Sequence, residues 1–429
     1  MRFSKTIPSA IALCANEADV QRCMEWVNET NTPFAVRSGG HNYAGYSSSR
    51  GLQIDVSQMK SLVIDKQAGE IELGAGNRGT DVGPILEPRN IMFPMGRCPA
   101  VAVSGLTLGG GWSMYARNFG MVCDSLVETT IVTPDAKVRT CSSSENADLF
   151  WGLRGGGGGN FGINTSFRFK TVDVSTTSAF KVLWLFPQKP SRIMQALLDI
   201  AIKAPREFSL EAIASPATAF SPRGILISVA GHMFGSESQV RQILDAAFSV
   251  EKPLNQKIQQ GSFWQSKEML SDSSPFGLFR HKSAFAGSKT IDQSDMDRMM
   301  EWLNRWPATS QIPDAAFGFY SFGGKVNDVK SQDTAFVHRN SEVLFKFATT
   351  WGPNDPTESI GATSAWLENF FEDSRPILSP FSYQNFPDPD LDDWASAYYG
   401  ENLRKLMALK QKYDPKKLFT FPQSIPYPG

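Results

Sequence analysis

The sequence predicts an α+β fold, and three observations carry that reading. Short apolar runs that alternate like strands are interleaved with segments of helical spacing. Glycine, 35 residues in all, is gathered into clusters within the first 160 positions. Beyond about residue 172 glycine thins, and strand-like runs such as KVLWLF and GILISVAG alternate with helical segments such as MDRMMEWLNRW. A chain of 429 residues exceeds one ordinary domain.

Taken in order, residues 7–64 read as strand, helix, strand, loop, strand. TIPSAIALCA reads as a buried first strand rather than a signal peptide, although Arg2 and Lys5 precede it. ADVQRCMEWVNE is helical, with Val20, Met24 and Val27 on one face. GLQIDV and EIELGAG are short strands, and LVETTIVTPDAKVRT is a hairpin turning at Pro134-Asp135. A run of five glycines feeds a strand that places Ile163, Thr165, Phe167 and Phe169 on one face. The tail ends in a helix stopped by Asp414-Pro415.

Composition excludes several classes. Lys plus Arg is 42 and Asp plus Glu is 43, so the basic excess of a nucleic-acid binder is missing. Apolar residues at 41% suit buried cores, and no apolar run spans a membrane. Cys14, Cys23, Cys98, Cys123 and Cys141 form neither a disulfide framework nor a CxxC zinc pattern, so no metal is expected. Secreted and cytoplasmic locations both stay open. Sequons stand at Asn28 and Asn164, and the second falls inside a strand pattern, where it reads as chance.

The chemistry begins with the glycines. Without a Cβ, successive backbone N–H groups can close on an anionic ligand. Clusters at Ser38–Gly40, Gly109–Gly111 and Gly155–Gly159 suggest one extended ligand clasped from several sides, such as a dinucleotide with its pyrophosphate. Gly157–Gly162 matches GxGxxG, but it opens a strand rather than a helix, which disfavours a classical NAD-binding fold. His41 and Cys98 each sit in a glycine-rich loop, where an imidazole and a thiol could attach a cofactor.

Four stretches in order, AVRSGGHNYAGYS, GRCPAVAVSGLTLGGG, LFWGLRGGGGGNFGI and YYGENLRKLMALKQKYDPKKLFTFPQSIP, resemble the FAD-linked oxidases of the vanillyl-alcohol oxidase superfamily, and more narrowly the berberine bridge enzyme family. The resemblance implies a PCMH-type, two-subdomain FAD-binding domain over residues 1–172. It implies a substrate domain over 173–379, an antiparallel sheet covered by helices, and a segment 380–429 returning to the FAD domain. It also implies more residues before the first strand than are present, so the chain reads as a short-N-terminus or trimmed member.

By the same resemblance FAD is held bicovalently, by His41 at the 8α-methyl carbon and by Cys98 at C6. Its remaining shell is Arg37, Ser38, Gly39, Gly40 and Asn42; Ser104, Gly105, Gly109 and Gly110 on the second loop; Asn160, Gly162 and Ile163; and Tyr383 and Asn385. Val101 corresponds to a gatekeeper small enough to admit dioxygen. Small-molecule substrate and O2 are the implied partners, with hydride passing to flavin N5 and peroxide as by-product. A dehydrogenase with another electron acceptor and a flavin-binding protein without turnover are the alternatives. Family members commonly carry YxNYxD, whose second Tyr is the base; here YQNFPD puts Phe386 in that place. The expected replacement is Asp328, on a strand after the Gly323-Gly324 pair, with Tyr320 and His338 as further candidates.

Overall fold

The computed structural model describes residues 6–217, 224–271, 278–287, 289–307 and 315–428; Arg2 and Lys5 of the signal-peptide alternative lie outside them. The described residues of Phe3–Val174, Asp328–Arg339 and Pro387–Gly429 form one compact unit, and those of Ser175–Asn327 and Asn340–Phe386 a second. Asp328–Arg339 thus belongs with the N-terminal segment, although the sequence places it within 173–379, and residues 380–386 group with the second unit.

The first unit opens with β1 (Ala10–Leu13), α1 (Glu17–Thr30), β2 (Phe34–Arg37) and β3 (Leu52–Asp55). The strands form a parallel sheet in the order β1-β3-β2. Asn16 caps α1 by accepting the Asp19 N–H, and Asn31, at φ 53°, ends it in the left-handed conformation. Val20, Met24 and Val27 are buried, as their spacing requires. The first strand is not buried, against expectation. It lies at the sheet edge, and Ile11 and Leu13 are 54% and 64% exposed; β3, in the centre, is buried throughout.

A second sheet follows, with β4 (Leu62–Asp65), β5 (Glu70–Gly74), α2 (Gly79–Leu86), β6 (Ile91–Met92), α3 (Val103–Leu108), α4 (Ala116–Phe119), β7 (Leu126–Val132), β8 (Val138–Ser142), α5 (Ala147–Leu153), β9 (Ile163–Lys170) and β10 (Val172–Asp173). Its antiparallel order is β4-β5-β9-β7-β8, with β6 and β10 paired separately. The β7–β8 hairpin turns where expected, Asp135 accepting from the Thr133 hydroxyl at 2.6 Å. Phe167 and Phe169 on β9 are fully buried, and Phe169 stacks on Phe93 at 4.7 Å. Both sequons serve structure: Asn28 donates to the Pro134 carbonyl at 2.6 Å, tying α1 to the hairpin, and buried Asn164 donates to Thr129 Oγ1 at 2.9 Å.

The second unit contains β11 (Thr176–Leu185), α6 (Pro190–Lys203), β12 (Phe208–Pro216), β13 (Ile225–Met233), α7 (Glu237–Val250), β14 (Asn255–Ser262), α8 (Phe263–Leu270), β15 (Leu278–Phe285), α9 (Gln293–Asn304), β16 (Ala315–Ser321), β17 (Val343–Trp351) and α10 (Thr357–Ser374). Its seven strands form one antiparallel sheet ordered β14-β11-β13-β12-β16-β17-β15. Strand side chains alternate between faces. Phe180, Leu210, Phe317 and Phe345 point to one face and meet Ile193, Val240, Met299 and Phe370 of α6, α7, α9 and α10 in a single core. This is the helix-covered antiparallel sheet expected. Helix α8 lies on the opposite face, at the β11–β14 corner, where Thr177 donates to Ser266 at 2.7 Å.

The chain ends in the first unit with α11 (Trp394–Tyr399) and α12 (Leu403–Tyr413), which stops at Asp414-Pro415 as predicted. Lys410 and Asp414 form an ion pair at 2.9 Å with both side chains fully buried. The ammonium also donates to the carbonyls of Asn160 and Phe419, at 2.7 and 2.6 Å. Asp414 accepts from the N–H groups of Leu418 and Phe419 and from the Tyr427 hydroxyl. Burial pulls the Lys410 pKa down, opposed by Asp414. Removing one partner of such a pair strands the other's charge, at about 3–5 kcal/mol. Lys410→Met should therefore lower the thermal midpoint of the protein by about 3–6 °C, read by circular dichroism. A shift as small as that of an exposed lysine substitution would show that the pair carries no stability.

Candidate active site

The three glycine clusters converge within the first unit. Ser38 and Ser104 both donate to the Ala75 carbonyl, Ser38 at 2.7 Å, which joins the first cluster to the second. A Cβ on Gly39 would lie 2.9 Å from both the Cβ and the N of Ala102, so only glycine permits this approach. The Leu108 carbonyl accepts from the N–H groups of Gly155 and Gly157, at 3.1 and 2.8 Å, joining the second cluster to the third. Gly105 and Gly158 are exposed and face one another, with 4.0 Å between the Cα of the first and the site of a Cβ on the second. The Leu108 side chain packs at the same place, 3.7 Å from the site of that Cβ, so α3 and the glycine run meet closely.

Two long-range ties hold this arrangement. Arg339 makes a bidentate pair with Asp124, both contacts at 2.7 Å. It anchors the segment Asp328–Arg339, whose Phe336 fills the space a Cβ on Gly110 would take and bonds back to the Arg154 carbonyl at 3.0 Å. Gly155, at φ 112°, leaves no room for a Cβ against the Phe336 backbone. From the tail, the buried Tyr399 hydroxyl donates to the Gly156 carbonyl at 3.1 Å.

The predicted cofactor residues divide into several groups. His41, Cys98 and Val101 are half-exposed on the two loops that meet at Gly39 and Ala102. The Arg37 guanidinium crosses above Gly40, whose φ of 68° tightens the loop. Asn42 turns its side chain back, accepting from Ala44 and Tyr46 at 2.9 and 3.2 Å. Ser104 and Gly105 lie in the short helix α3 and not in a loop; Gly109 caps that helix and Gly110 follows at φ 98°. Asn160 is a structural hub: its amide donates to the Gly156 and Gly157 carbonyls and accepts from Ile425 N–H, so its side chain is committed within the protein. Gly162, at φ 150°, passes against the Val132 carbonyl as β9 begins at Ile163. Tyr383 and Asn385 belong to the second unit, where Asn385 donates to the Tyr383 hydroxyl at 3.1 Å.

The predicted base is displaced. Asp328 is not on a strand: Gly323 and Gly324, at φ 73° and 57°, turn the chain into a 3-10 helix over Gly324–Asp328, and the carboxylate is exposed. His338 is buried in the anchored segment, edge-on to Phe336 at 5.3 Å. Tyr320 is 6% exposed on β16, on the sheet face opposite the helices.

That face carries what the sequence reading missed. Register sets Glu211 of β12 directly beside Tyr320, and Glu211 is only 7% exposed. Lys346 of β17 pairs with Gly318, two residues from Tyr320, and His281 of β15 lies on the same face. Ser382 and Tyr383 bond to Ser283 of β15 and bring Phe386 onto this face, 6.1 Å from Tyr320 and 6.0 Å from His281 between ring centroids. The signal was a charge inside an otherwise apolar strand, in FSLEAIASP and VLFKFATTW. A carboxylate, a phenol, an ammonium and an imidazole under an aromatic ring can bind a hydroxylated ring compound and take its proton.

A family model described as an FAD binding domain matches residues 8–142, and one described as berberine and berberine like matches residues 382–426. The FAD-linked oxidoreductase YgaK of Bacillus subtilis (strain 168) is 30% identical over 98% of this chain and 91% of its own length. A chitooligosaccharide oxidase of Gibberella zeae is 28% identical over 97% of this chain and 87% of its own. Among solved structures, the BBE-like 1 protein of Physcomitrella patens shares the fold with a TM-score of 0.87, at 24% identity and covering 100% of this chain and 95% of that one. These matches define an FAD-linked oxidoreductase. The chain belongs to the berberine bridge enzyme-like family.

The residues present fit FAD, because backbone of the glycine-rich loops is brought together without side chains between Gly39 and Ala102, and an imidazole and a thiol, His41 and Cys98, stand half-exposed on the two loops that meet there. Gly39→Ala should cut flavin incorporation about tenfold or more, measured as the visible-to-280 nm absorbance ratio of purified protein, and adding Ala102→Gly should restore part of it. Normal flavin content in the single variant would remove the close approach as a requirement.

Proposed function

We propose that the chain is an oxidase that removes hydride from a carbinol or activated C–H of a small ring-bearing organic substrate, with FAD held through both His41 and Cys98. Bound FAD would supply the hydride acceptor, with dioxygen as the final electron acceptor and hydrogen peroxide as its product. The chain's part is orientation and proton handling. Tyr320 hydrogen-bonds the substrate hydroxyl, and Glu211 beside it takes the proton as the C–H bond breaks. Lys346 on the same face orients a second polar group of the substrate, and Phe386 stacks on its ring. Val101 is a small side chain beside the Cys98 loop, which leaves space for dioxygen.

The observation carrying this reading is the register pair of two buried groups, Glu211 and Tyr320, on a face whose neighbouring aromatic is Phe386. The relatives support the reaction class, as they include a carbohydrate oxidase of Microdochium nivale and a monolignol oxidoreductase of Arabidopsis thaliana. A phenolic or polycyclic alcohol is favoured over a saccharide, because Phe386 offers a ring face and no hydroxyl.

A peroxide-reading screen of aryl alcohols and oligosaccharides tests the substrate class. Glu211→Gln should slow anaerobic flavin reduction by about 100-fold or more, whereas Asp328→Asn should leave it within about twofold. The reverse pattern would return the base to Asp328. Acid-precipitated, washed protein should stay yellow, and Cys98→Ala should retain one link through His41. Flavin released into the supernatant from the unsubstituted protein would refute covalent attachment.

A further inference from the structure

We infer that Cys14 and Cys23 are a reversible dithiol–disulfide pair, a peroxide-oxidised staple between β1 and α1. Their sulfur atoms stand 3.8 Å apart, nine residues apart in sequence. Both positions are firmly held: the Cys14 N–H donates to the Asp55 carbonyl at 2.9 Å, and Cys23 is in the second turn of α1 beside buried Val20, Met24 and Val27. The bond, at about 2.05 Å, asks the sulfurs to close by about 1.8 Å, within reach of side-chain rotation.

The two thiols divide the roles. Cys14 is buried and Cys23 half-exposed, so Cys23 meets the oxidant. Donation from the Cys14 thiol holds Cys23 below the usual thiol range, against desolvation and the Asp19 carboxylate. The same contact, together with burial, pushes Cys14 up and keeps it protonated as the resolving thiol. The Cys23 thiolate attacks one oxygen of hydrogen peroxide; the O–O bond breaks, giving a sulfenic acid and hydroxide. The Cys14 sulfur then attacks that sulfenyl sulfur; the S–O bond breaks, the S–S bond forms, and the departing hydroxide and the thiol proton leave as water. Two thiols and one peroxide thus yield one disulfide and two waters. Elsewhere burial pushes the Cys123 thiol up and the Cys141 thiol to about 12, which leaves both inert.

The test stands apart from the proposed reaction because peroxide is added from outside. Holoprotein is treated with a few equivalents of hydrogen peroxide, alkylated after denaturation and digested with trypsin without reduction. Cleavage after Lys5, Arg22 and Arg37 separates the two cysteines. The expected product is peptide 6–22 joined to peptide 23–37, two hydrogens lighter than their sum, released by dithiothreitol and absent from Cys14→Ser and Cys23→Ser. It should form at least about tenfold faster than any oxidation of Cys123 or Cys141. Recovery of both peptides alkylated, or of Cys23 as a sulfinic or sulfonic acid with Cys14 alkylated, would overturn the inference.

Discussion

The site rests on backbone approaching backbone without side chains between. Two carbonyls, of Ala75 and Leu108, gather donors from all three glycine-rich segments around the short helix α3. Each approach is bought with conformational freedom: Gly40, Gly110 and Gly155 take positive φ values, and Gly39 and Gly155 leave no room for a Cβ. Glycine adds no side chain to a core, so such loops need support from other segments. Their rigidity comes from outside, through Phe336 on the segment anchored by Arg339–Asp124, and through the Lys410 ammonium on the Asn160 carbonyl. Buried charges are thus placed where irregular backbone needs strong acceptors and donors satisfied.

The second unit solves a different problem. Its sheet is a rigid platform, with one face consumed by the helical core and the other left to display side chains at fixed spacing. On that display face neighbouring strands set Glu211 beside Tyr320 by register alone. Phe386 arrives from a separate segment held to β15 by Ser283. A carboxylate–phenol pair defined by strand register is less dependent on loop geometry than a carboxylate on the Asp328 turn.

Much of this was legible in the residues. The amphipathic spacing of α1, the β7–β8 turn and the glycine clusters are local signals, and local signals survive folding. His41 and Cys98 stand out in the sequence as isolated side chains in glycine-bearing loops, and the structure brings those two loops together at Gly39 and Ala102. What failed was decided by tertiary position. The apolar residues of β1 look like core until the strand proves to be an edge. Asp328 looks like a strand residue until two glycines at positive φ turn the chain. Ser104 and Gly105 read as loop because six residues make too short a helix to show periodicity. Glu211 and Lys346 could not be paired with Tyr320 without the strand order, which is not sequential.

The discontinuity of the first unit has a consequence during synthesis. The glycine run at residues 155–159 leaves the ribosome well before its supports at Phe336, Tyr399 and Lys410, the last some 250 positions later. At about 5–20 residues per second, the cradle waits for on the order of ten to fifty seconds half-built. The nascent chain must therefore stay soluble with that pocket unformed, and insertion of the flavin belongs to the period after translation ends.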